Sequence, residues 1–377
     1  MSQTSAADTR AVLVYDGTIA ELFGIFLLNL LLTIITLGIY RFWAITRIRR
    51  YLWSHMRFVD TRLTYTGRGK ELFLGFLLAM LILSLIAAAV GLASFGLARI
   101  HPGLAAIPIG IAYIGLFILF GAAHFTAQRY RLSRTEWRGI RGGMQGSALR
   151  YGLAWLLYVL SVIVTLYQSV PWMQVGLARR RINATRFGSA SFHFEGRARH
   201  IYLSWLLATL GNLVVLGLIV GIVAVLEWST LEPVVSGRVT GPAAEIAMHR
   251  AVPIFIAAMI VFSVASGLLV TWYAARLVRL IMGGTTMAIP GPRGDSTVTF
   301  SSTVTAGRLL WLIVSNFLIA LVTLGLGVPI VLHRTARYMA ETTRMTGAID
   351  ANALVQSTLA RPSVGEGFLQ ALDPGIV

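Results

Sequence analysis

The chain has 377 residues, of which 56% are hydrophobic and only 12% are charged, and its formal net charge is +17. An ordinary soluble domain carries about 25% charged residues, so this composition excludes a typical soluble protein and indicates a membrane protein. The absence of cysteine excludes disulfides, thiolate catalysis and cysteine metal sites.

Seven mostly apolar runs are long enough to be membrane segments, since a helix needs about 20 such residues to cross a hydrocarbon core of about 30 Å. They lie near residues 22–39, 72–95, 104–125, 151–170, 201–226, 253–280 and 309–332. The N-terminus lacks the pattern of a cleaved signal peptide, and we expect none.

The first two runs begin with nearly the same phrase. Residues 15–29 read YDGTIAELFGIFLLN, and residues 65–79 read YTGRGKELFLGFLLA. Thr18 and Glu21 have the spacing of a capping box, and Glu71 repeats the acid where a helix start favours negative charge. This phrase predicts a glycine turn and a capped helix start; the alternative is a proton or cation site at the two glutamates.

Three later stretches align without a gap, at residues 29–57, 158–186 and 316–344. Thr36, Thr165 and Thr323 coincide in this alignment, and each is followed by leucine. The alignment predicts internal repeats near residues 15–79, 144–208 and 302–347, within one membrane domain of residues 1–347.

In each repeat the Thr-Leu step ends a short apolar helix. Gly38 and Gly325 suit the left-handed position that ends a helix, and Pro171 and Pro329 suit the first turn of a new one. Basic residues concentrate on cytoplasmic loops, yet arginines stand at both ends of the runs at 151–170 and 309–332. We therefore predict three hairpins that dip into the membrane and return; seven plain crossings are the alternative.

The predicted fold is an all-α multi-pass membrane bundle, with three helical hairpin units and two pairs of spanning helices. Both chain ends are then cytoplasmic, and the loops at 96–103 and 227–252 lie outside. Strand-like segments at 62–70, 191–199 and 296–305 predict small β-elements on the cytoplasmic side. Residues 348–377 are expected to form a flexible cytoplasmic tail.

Three asparagines within the apolar runs are the first candidate site: Asn29, Asn212 and Asn316. An amide in hydrocarbon is costly unless it is paired or faces a cavity. They either fix helix packing or contact a substrate.

Arginines at equivalent positions of the repeats are the second candidate: Arg50, Arg57, Arg179, Arg186, Arg337 and Arg344. Guanidinium groups suit phosphate and carboxylate, so these residues form an anion site or contact anionic lipid headgroups on the cytoplasmic leaflet. Because the basic residues flank membrane segments, a nucleic-acid partner is not expected.

Motifs of catalysis and of cofactor binding are missing from the sequence. HExxH, a Walker loop, a nucleophile elbow and a dinucleotide-binding glycine motif do not occur. We expect neither an enzyme nor a cofactor or metal site.

Four phrases together resemble the YjgN-like family of bacterial inner-membrane proteins: ELFLGFLLA, TLGIYRFWAITRIRRYLW, RYRLSRTEWRGIR and SNFLIALVTLGLGVPIVLHRTARY. The resemblance extends to about residue 347 and implies a multi-pass protein of the bacterial inner membrane, in a family whose molecular function is undefined. The second repeat departs by reading TLYQSVPW, without the turn glycine, and the third has Ile330 where the others have tryptophan.

Two functions follow as hypotheses. A transporter or channel for a small solute would place the three asparagines around a water-accessible cavity, since repeats with interrupted helices often surround a midplane site. A non-transport scaffold or anionic-lipid-interacting protein would have a closed bundle and a basic cytoplasmic face. Substrate, coupling ion, oligomeric state and protein partners cannot be read from the sequence.

Overall fold

The computed structural model describes residues 10–238, 240–291, 296–349, 354–356 and 359. The helices found there are α1 (Ile19–Ile35), α2 (Arg41–Ser54), α3 (Gly69–Ala98), α4 (Ala106–Ser133), α5 (Ala148–Val164), α6 (Val170–Ala184), α7 (Arg199–Val235), α8 (Pro242–Gly283), α9 (Ala306–Val322) and α10 (Val328–Thr342). A short 3-10 turn, Pro102–Ala105, precedes α4.

The strands are short and mostly occur in pairs between helices. They are β1 (Arg10–Ala11), β2 (Leu13–Tyr15), β3 (Met56–Phe58), β4 (Thr61–Tyr65), β5 (Thr135–Trp137), β6 (Ile140–Met144), β7 (Thr185–Phe187), β8 (Ala190–Phe194), β9 (Thr285–Ile289), β10 (Ser296–Ser302) and β11 (Thr343–Thr346).

The described residues divide into two compact units. The second unit consists of Arg199–Val278 and Val304–Trp311. It therefore holds α7 and most of α8, whereas every strand belongs to the first unit together with α1 to α6 and α10.

The strands of the first unit form one antiparallel sheet, in the order β1-β11-β10-β9-β8-β7-β6-β5-β4-β3-β2. Only Val12 separates β1 from β2, yet β1 pairs with β11 and β2 pairs with β3, at opposite ends of that order. The N-terminal strand is thus broken at Val12 and joins both ends, so the sheet closes on itself with ten strands if β1 and β2 count as one. Closure leaves no long unpaired edge among the described strands.

Apolar side chains fill one face of this sheet. The packed cluster includes Val12, Trp137, Ile289, Val298 and Met345, which come from strands far apart in the sequence. The Trp137 indole also donates a hydrogen bond to the carbonyl oxygen of Phe58, 3.0 Å away. The sheet is therefore a second folded core beside the helices.

The sheet corrects the predicted fold class. The chain is mostly helical, but the strand-like segments belong to one continuous sheet instead of separate small β-elements. A sequence scan underestimates it because its strands are only two to seven residues long and their pairing depends on distant partners.

The three shorter apolar helices each reverse into a second helix. At the end of α1, the Thr36 hydroxyl donates to the carbonyl oxygen of Leu32 (2.7 Å) and accepts from the Tyr40 amide (2.9 Å). Thr165 and Thr323 make the same two bonds at the ends of α5 and α9. The predicted helix stop at each Thr-Leu step is confirmed.

The reversal requires left-handed backbone after each threonine. Gly38 has φ +92° and Gly325 has φ +88°, as predicted, while Tyr167 adopts φ +70° in the second hairpin. Pro171 and Pro329 lie in the first turn of α6 and α10. The departure TLYQSVPW therefore keeps the turn but places a tyrosine where glycine is favoured.

Four stretches are long and apolar enough to cross a membrane: Gly69–Ala98, Pro102–Ser133, Arg199–Val225 and Ala244–Gly283. They correspond to the four predicted spans. Helices α1, α5 and α9 have 17 residues each, which gives about 25 Å at 1.5 Å per residue. This length difference separates the hairpins from the long helices.

Part of the predicted flexible tail is bound to the sheet. The Ser189 amide donates to the carbonyl oxygen of Val355 at 2.9 Å, and the Val355 amide donates to the Ser189 hydroxyl at 3.2 Å. Leu354 packs in the cluster on the sheet. Residues 350–353, 357–358 and 360–377 of that tail lie outside the described residues.

Candidate functional site

The three asparagines of the predicted site each donate a hydrogen bond close to their own position in the chain or in its hairpin. The Asn29 amide donates to the Ala44 carbonyl oxygen at 3.5 Å, across the α1–α2 hairpin, and the Asn316 amide donates to the Thr335 hydroxyl at 3.3 Å, across the α9–α10 hairpin. Asn212 donates to Ala208 of its own helix at 2.9 Å. Each amide nitrogen thus donates locally, and two of them link the arms of a hairpin, while the Oδ1 atoms of all three are buried and accept no hydrogen bond from the described residues.

Two of the predicted arginines each donate a hydrogen bond to the carbonyl oxygen of a glycine 17 residues later. Arg50 donates to the carbonyl oxygen of Gly67 at 3.2 Å, and Arg179 donates to that of Gly196 at 2.7 Å. Arg129, which the sequence comparison did not single out, makes the same bond to Gly146 at 2.8 Å. These contacts tie a helix to the segment that begins the next helix.

Gly67 and Gly196 each follow an aromatic residue by two positions, as in the Tyr-x-Gly of the repeated starting phrase. The Tyr65 ring covers Gly67 so closely that a Cβ there would lie 2.5 Å from a ring carbon, and Phe194 covers Gly196 in the same way. The phrase is therefore a packing device at the start of a helix.

The second set of arginines occupies strands. Arg57 in β3 lies 3.7 Å from the Asp16 carboxylate, and Arg186 in β7 donates to the carbonyl oxygens of Asn183 and Thr185 at 3.0 Å. Arg344 in β11 lines a cleft together with Arg337. Of the six predicted arginines, the structure brings Arg337 and Arg344 to one cavity.

The two glutamates of the starting phrase each bind a tyrosine. Thr18 caps α1 by accepting from the Glu21 amide at 3.4 Å. The Glu21 carboxylate, however, does not complete a capping box: it accepts from the Tyr51 hydroxyl at 2.9 Å and lies 3.7 Å from His55.

At the second phrase, the Glu71 carboxylate accepts from the Tyr130 hydroxyl at 2.7 Å and pairs with Arg134 at 2.8 Å. The side chains of this pair are only 21% and 12% exposed. Sequence reasoning missed both tyrosines, although Tyr51 and Tyr130 each stand four residues before the basic partner. The contacts support helix anchoring by both glutamates.

A polar cleft of about 410 Å³ lies between β2 and α10. Its walls include Tyr15 and Asp16 on one side and His333, Arg337 and Arg344 on the other. The Tyr15 and His333 rings meet edge to face, with centroids 5.3 Å apart. No sequence motif marks this cleft, because its two sides come from opposite ends of the chain.

Several groups at the sheet have shifted pKa values. Hydrogen bonding from Tyr51, followed by that from Thr18, lowers the pKa of the Glu21 carboxyl. Burial, followed by the charge of Arg337, lowers the pKa of the His333 imidazole, and burial raises the pKa of the Tyr15 hydroxyl. Near pH 7 the cleft therefore holds a neutral imidazole and a protonated phenol.

Metal ligands do not cluster in the described part of the chain: no group of three or more histidine, aspartate and glutamate side chains could hold a metal ion there. The cleft offers the donors of Arg337 and Arg344 together with the carboxylates of Asp16 and Glu341.

The chain matches the family model described as "Bacterial protein of unknown function (DUF898)" over residues 10–371. It belongs to this family. It is also similar to the "Inner membrane protein YjgN" of Salmonella typhimurium, with 24% identity over 376 residues, covering 90% of this chain and 89% of that protein. The Escherichia coli K12 protein of the same name is 43% identical over 60 residues, 16% of this chain and 15% of its own length.

No solved structure matches the chain. The predicted resemblance to the YjgN-like family is confirmed by the DUF898 match and the long alignment. With the four long apolar helices, the chain is an inner-membrane protein of a family with unknown function.

Proposed function

We propose that this inner-membrane protein binds anionic lipid at the side of the membrane where its sheet lies, and that its three helical hairpins enter the membrane from that side without crossing it. The observation that carries the proposal is the polarity of each hairpin. Each turn exposes a leucine, with Leu37 94%, Leu166 82% and Leu324 91% exposed, whereas the exposed arginines lie mostly toward the strand-side end; Arg41, exposed just after the first turn, is the exception.

An exposed leucine at a turn is unfavourable in water and favourable in hydrocarbon. Arginine has the opposite preference but binds lipid phosphate through its guanidinium group. Exposed arginines on the second arms of the hairpins include Arg47 and Arg50 in α2, Arg179 and Arg180 in α6, and Arg337 in α10. A hairpin inserted tip first satisfies both preferences at once.

Helix length supports insertion without a full crossing. About 25 Å of helix is less than the roughly 30 Å of the hydrocarbon core, and each arm begins at the sheet. Because basic segments stay on the cytoplasmic side, the sheet and both chain ends are assigned to the cytoplasm. The matching threonine turns of the three hairpins further support the internal repeats inferred from the alignment.

A small-solute transporter or channel is the alternative. It needs a water-accessible path lined by the asparagines. Asn29, Asn212 and Asn316 are engaged within a hairpin or a single helix, and none of them lines the polar cleft or two further cavities, of about 410 and 370 Å³. These contacts favour the lipid-binding proposal.

Reconstitution tests the proposal directly. The protein is placed in nanodiscs of phosphatidylcholine alone or with phosphatidylglycerol, and its thermal unfolding is followed. We expect anionic lipid to raise the melting temperature, and salt to reduce the gain because it screens exposed charges.

The matched variants are the double substitution Arg47→Gln with Arg180→Gln, and Arg250→Gln as control. Arg47 and Arg180 are exposed on hairpins, and Arg250 is exposed in α8 near the loop predicted outside. The gain should shrink in the double variant and persist in the control. Equal stability in both lipids, or solute release from proteoliposomes above that of empty vesicles, would overturn the proposal in favour of transport.

A further inference from the structure

We propose that the cleft between β2 and α10 binds a phosphate-type anion, either a lipid headgroup phosphate or a free phosphate ester. The lipid source rests on the function proposed above, whereas the free ester does not. The cleft is a defined site in the first unit, built from Tyr15, His333, Arg337 and Arg344.

The two arginines have unused donors. The Arg337 Nε donates to Glu341 at 2.8 Å, and in the described residues its terminal nitrogens make no further hydrogen bond or ion pair. The Arg344 side chain makes no hydrogen bond or ion pair with any of the described residues. A guanidinium group with free terminal nitrogens matches the oxygens of a phosphate.

Arg337 differs from the arginines at equivalent positions. Arg50 and Arg179 are each bound to a glycine carbonyl 17 residues later. The strand that follows α10, β11, pairs with the N-terminal strand β1 instead of with a strand that comes after it, so the corresponding glycine is Gly17, just after β2 at the other end of the chain. Arg337 lines the cleft beside Gly17 but bonds to Glu341 instead. Arg337 therefore does not bind a glycine carbonyl as Arg50 and Arg179 do, and its side chain lines an open cavity.

The carboxylates nearby do not cancel this positive charge. Asp16 is paired with Arg62 at 2.8 Å and lies 3.7 Å from Arg57, while Glu341 is paired with Arg337. The lining itself has two arginines and two carboxylates, and Arg57 and Arg62, which pair with Asp16, bring the nearby guanidinium groups to four. Because Asp16 is already paired by arginines that do not line the cleft, the charge left for a ligand is positive.

The wall also contains unsatisfied polar atoms. The Tyr15 hydroxyl and the His333 Nδ1 are shielded from solvent and form no hydrogen bond among the described residues. Buried polar atoms of native proteins almost always have a partner, so the His333 Nδ1 indicates a ligand or water in the cleft. The Tyr65 hydroxyl above Gly67 is unpaired in the same way as the Tyr15 hydroxyl above Gly17, so the tyrosine by itself does not mark a site. The cavity of about 410 Å³ exceeds a phosphate and leaves room along Leu13 and Ala340 for the organic part of an ester.

Binding is tested with the full-length protein. Inorganic phosphate is titrated calorimetrically into detergent-solubilised protein, and nanodiscs with and without phosphatidylglycerol are compared for retained lipid. We expect saturable binding that weakens about tenfold or more in the Arg337→Gln, Arg344→Gln double variant, because each lost bond involves a charged group. Arg197→Gln, at an exposed arginine after β8, should bind as the wild type does.

The two measurements distinguish a free phosphate ester from a lipid headgroup as the ligand. Phosphate binding that the double variant loses supports a free ester, and a loss confined to retained phosphatidylglycerol supports a headgroup. If the double variant unfolds, Arg344→Lys and Arg344→Gln decide, since only the first keeps the charge and should keep binding. Wild-type affinity in Arg344→Gln, or no binding of either probe by the wild type, overturns the cleft site.

The experiments distinguish failure of the cleft site from failure of the broader proposal. If the hairpin variants Arg47→Gln and Arg180→Gln leave the lipid preference intact while cleft variants abolish phosphate binding, the hairpin proposal fails and the cleft site stands. If instead the hairpin variants lose the lipid preference and the cleft variants bind phosphate as the wild type does, the cleft site fails and the hairpin proposal stands.

Discussion

Arg179 in α6 donates a hydrogen bond to the carbonyl oxygen of Gly196, 2.7 Å away and shortly before the first residue of α7. Arg50 and Arg129 do the same to Gly67 and Gly146, always 17 residues later. Two strands lie between the partners in each case. The bond therefore fixes where each strand pair returns toward the helices.

The first prediction follows from this bond. Arg179→Ala leaves the Gly196 carbonyl without its charged donor and should lower the free energy of unfolding by about 1–2 kcal/mol. Thermal unfolding in detergent measures the loss. The control is Arg180→Ala, which removes an adjacent exposed arginine; equal losses in both variants would show that the bond to Gly196 has no stabilising role.

The second prediction concerns the glutamates of the repeated phrase. Glu71→Gln removes the charge opposite Arg134, whose side chain is only 12% exposed, and should cost about 2–3 kcal/mol because a desolvated guanidinium loses its counter-ion. Glu21→Gln should cost less, since the Glu21 side chain is 58% exposed and its basic partner is a histidine 3.7 Å away. Chemical denaturation of both variants in one detergent gives the ranking; a reversed order contradicts the anchoring role of Glu71.

The third prediction tests the hairpin turn. Gly38 has φ +92° and open space where a Cβ would be, so Gly38→Ala adds no clash and should cost about 1 kcal/mol through the left-handed backbone alone. Gly24 in α1 also has open space but no positive φ, and Gly24→Ala should stabilise the helix by a few tenths of a kcal/mol to about 1 kcal/mol. Melting temperatures that move in the same direction would argue against the turn geometry.

The hairpins could be predicted from the sequence because their determinants are local. Thr36 forms its two bonds with Leu32 and Tyr40, each four residues away, and the repetition of this pattern in three aligned stretches made it visible. Closure of the sheet could not be predicted. Arg10 pairs with Met345, and strands of two or three residues carry too little periodicity to indicate such a partner.

The cleft was unpredictable for the same reason. Arg337 and Arg344 were found by their repeated positions, but Tyr15 and His333 meet only because the N-terminal strand closes the sheet beside α10. The sequence therefore indicated which residue types recur, and long-range pairing decided which of them share a cavity.

The fourth prediction is a pH dependence at this cleft. His333 has a folded-state pKa below its ordinary value of 6.5, through burial and then Arg337. The unfolded state therefore binds the proton more readily, and the stabilisation is fully present above pH 6.5 and is lost as pH falls through the folded-state pKa. His333 also contacts the Tyr15 ring, and Glu341 and Arg344 line the same cleft.

His333→Gln removes this titration. In phosphate-free buffer, the variant should lose less stability than the wild type between pH 7.5 and pH 5, as measured by thermal unfolding. Asp16→Asn serves as a second variant, because it changes a neighbouring charge and leaves the imidazole in place. Parallel pH curves for the wild type and His333→Gln would assign the acid sensitivity to other groups.

The last prediction concerns the side of the membrane that each hairpin reaches. Because the chain has no cysteine, single substitutions can be labelled without background. His193 is an exposed residue of the sheet, Ile100 follows α3 at its far end, and Leu166 is the tip of the second hairpin.

A membrane-impermeant maleimide should label His193→Cys only in inverted vesicles and Ile100→Cys only in intact cells. Leu166→Cys should not react with the impermeant maleimide from either side but should react with a lipid-soluble maleimide, because a hairpin that enters the membrane without crossing it keeps its tip in hydrocarbon. Labelling of Leu166→Cys from the side that labels Ile100→Cys would replace the hairpin by a full crossing and restore seven plain spans.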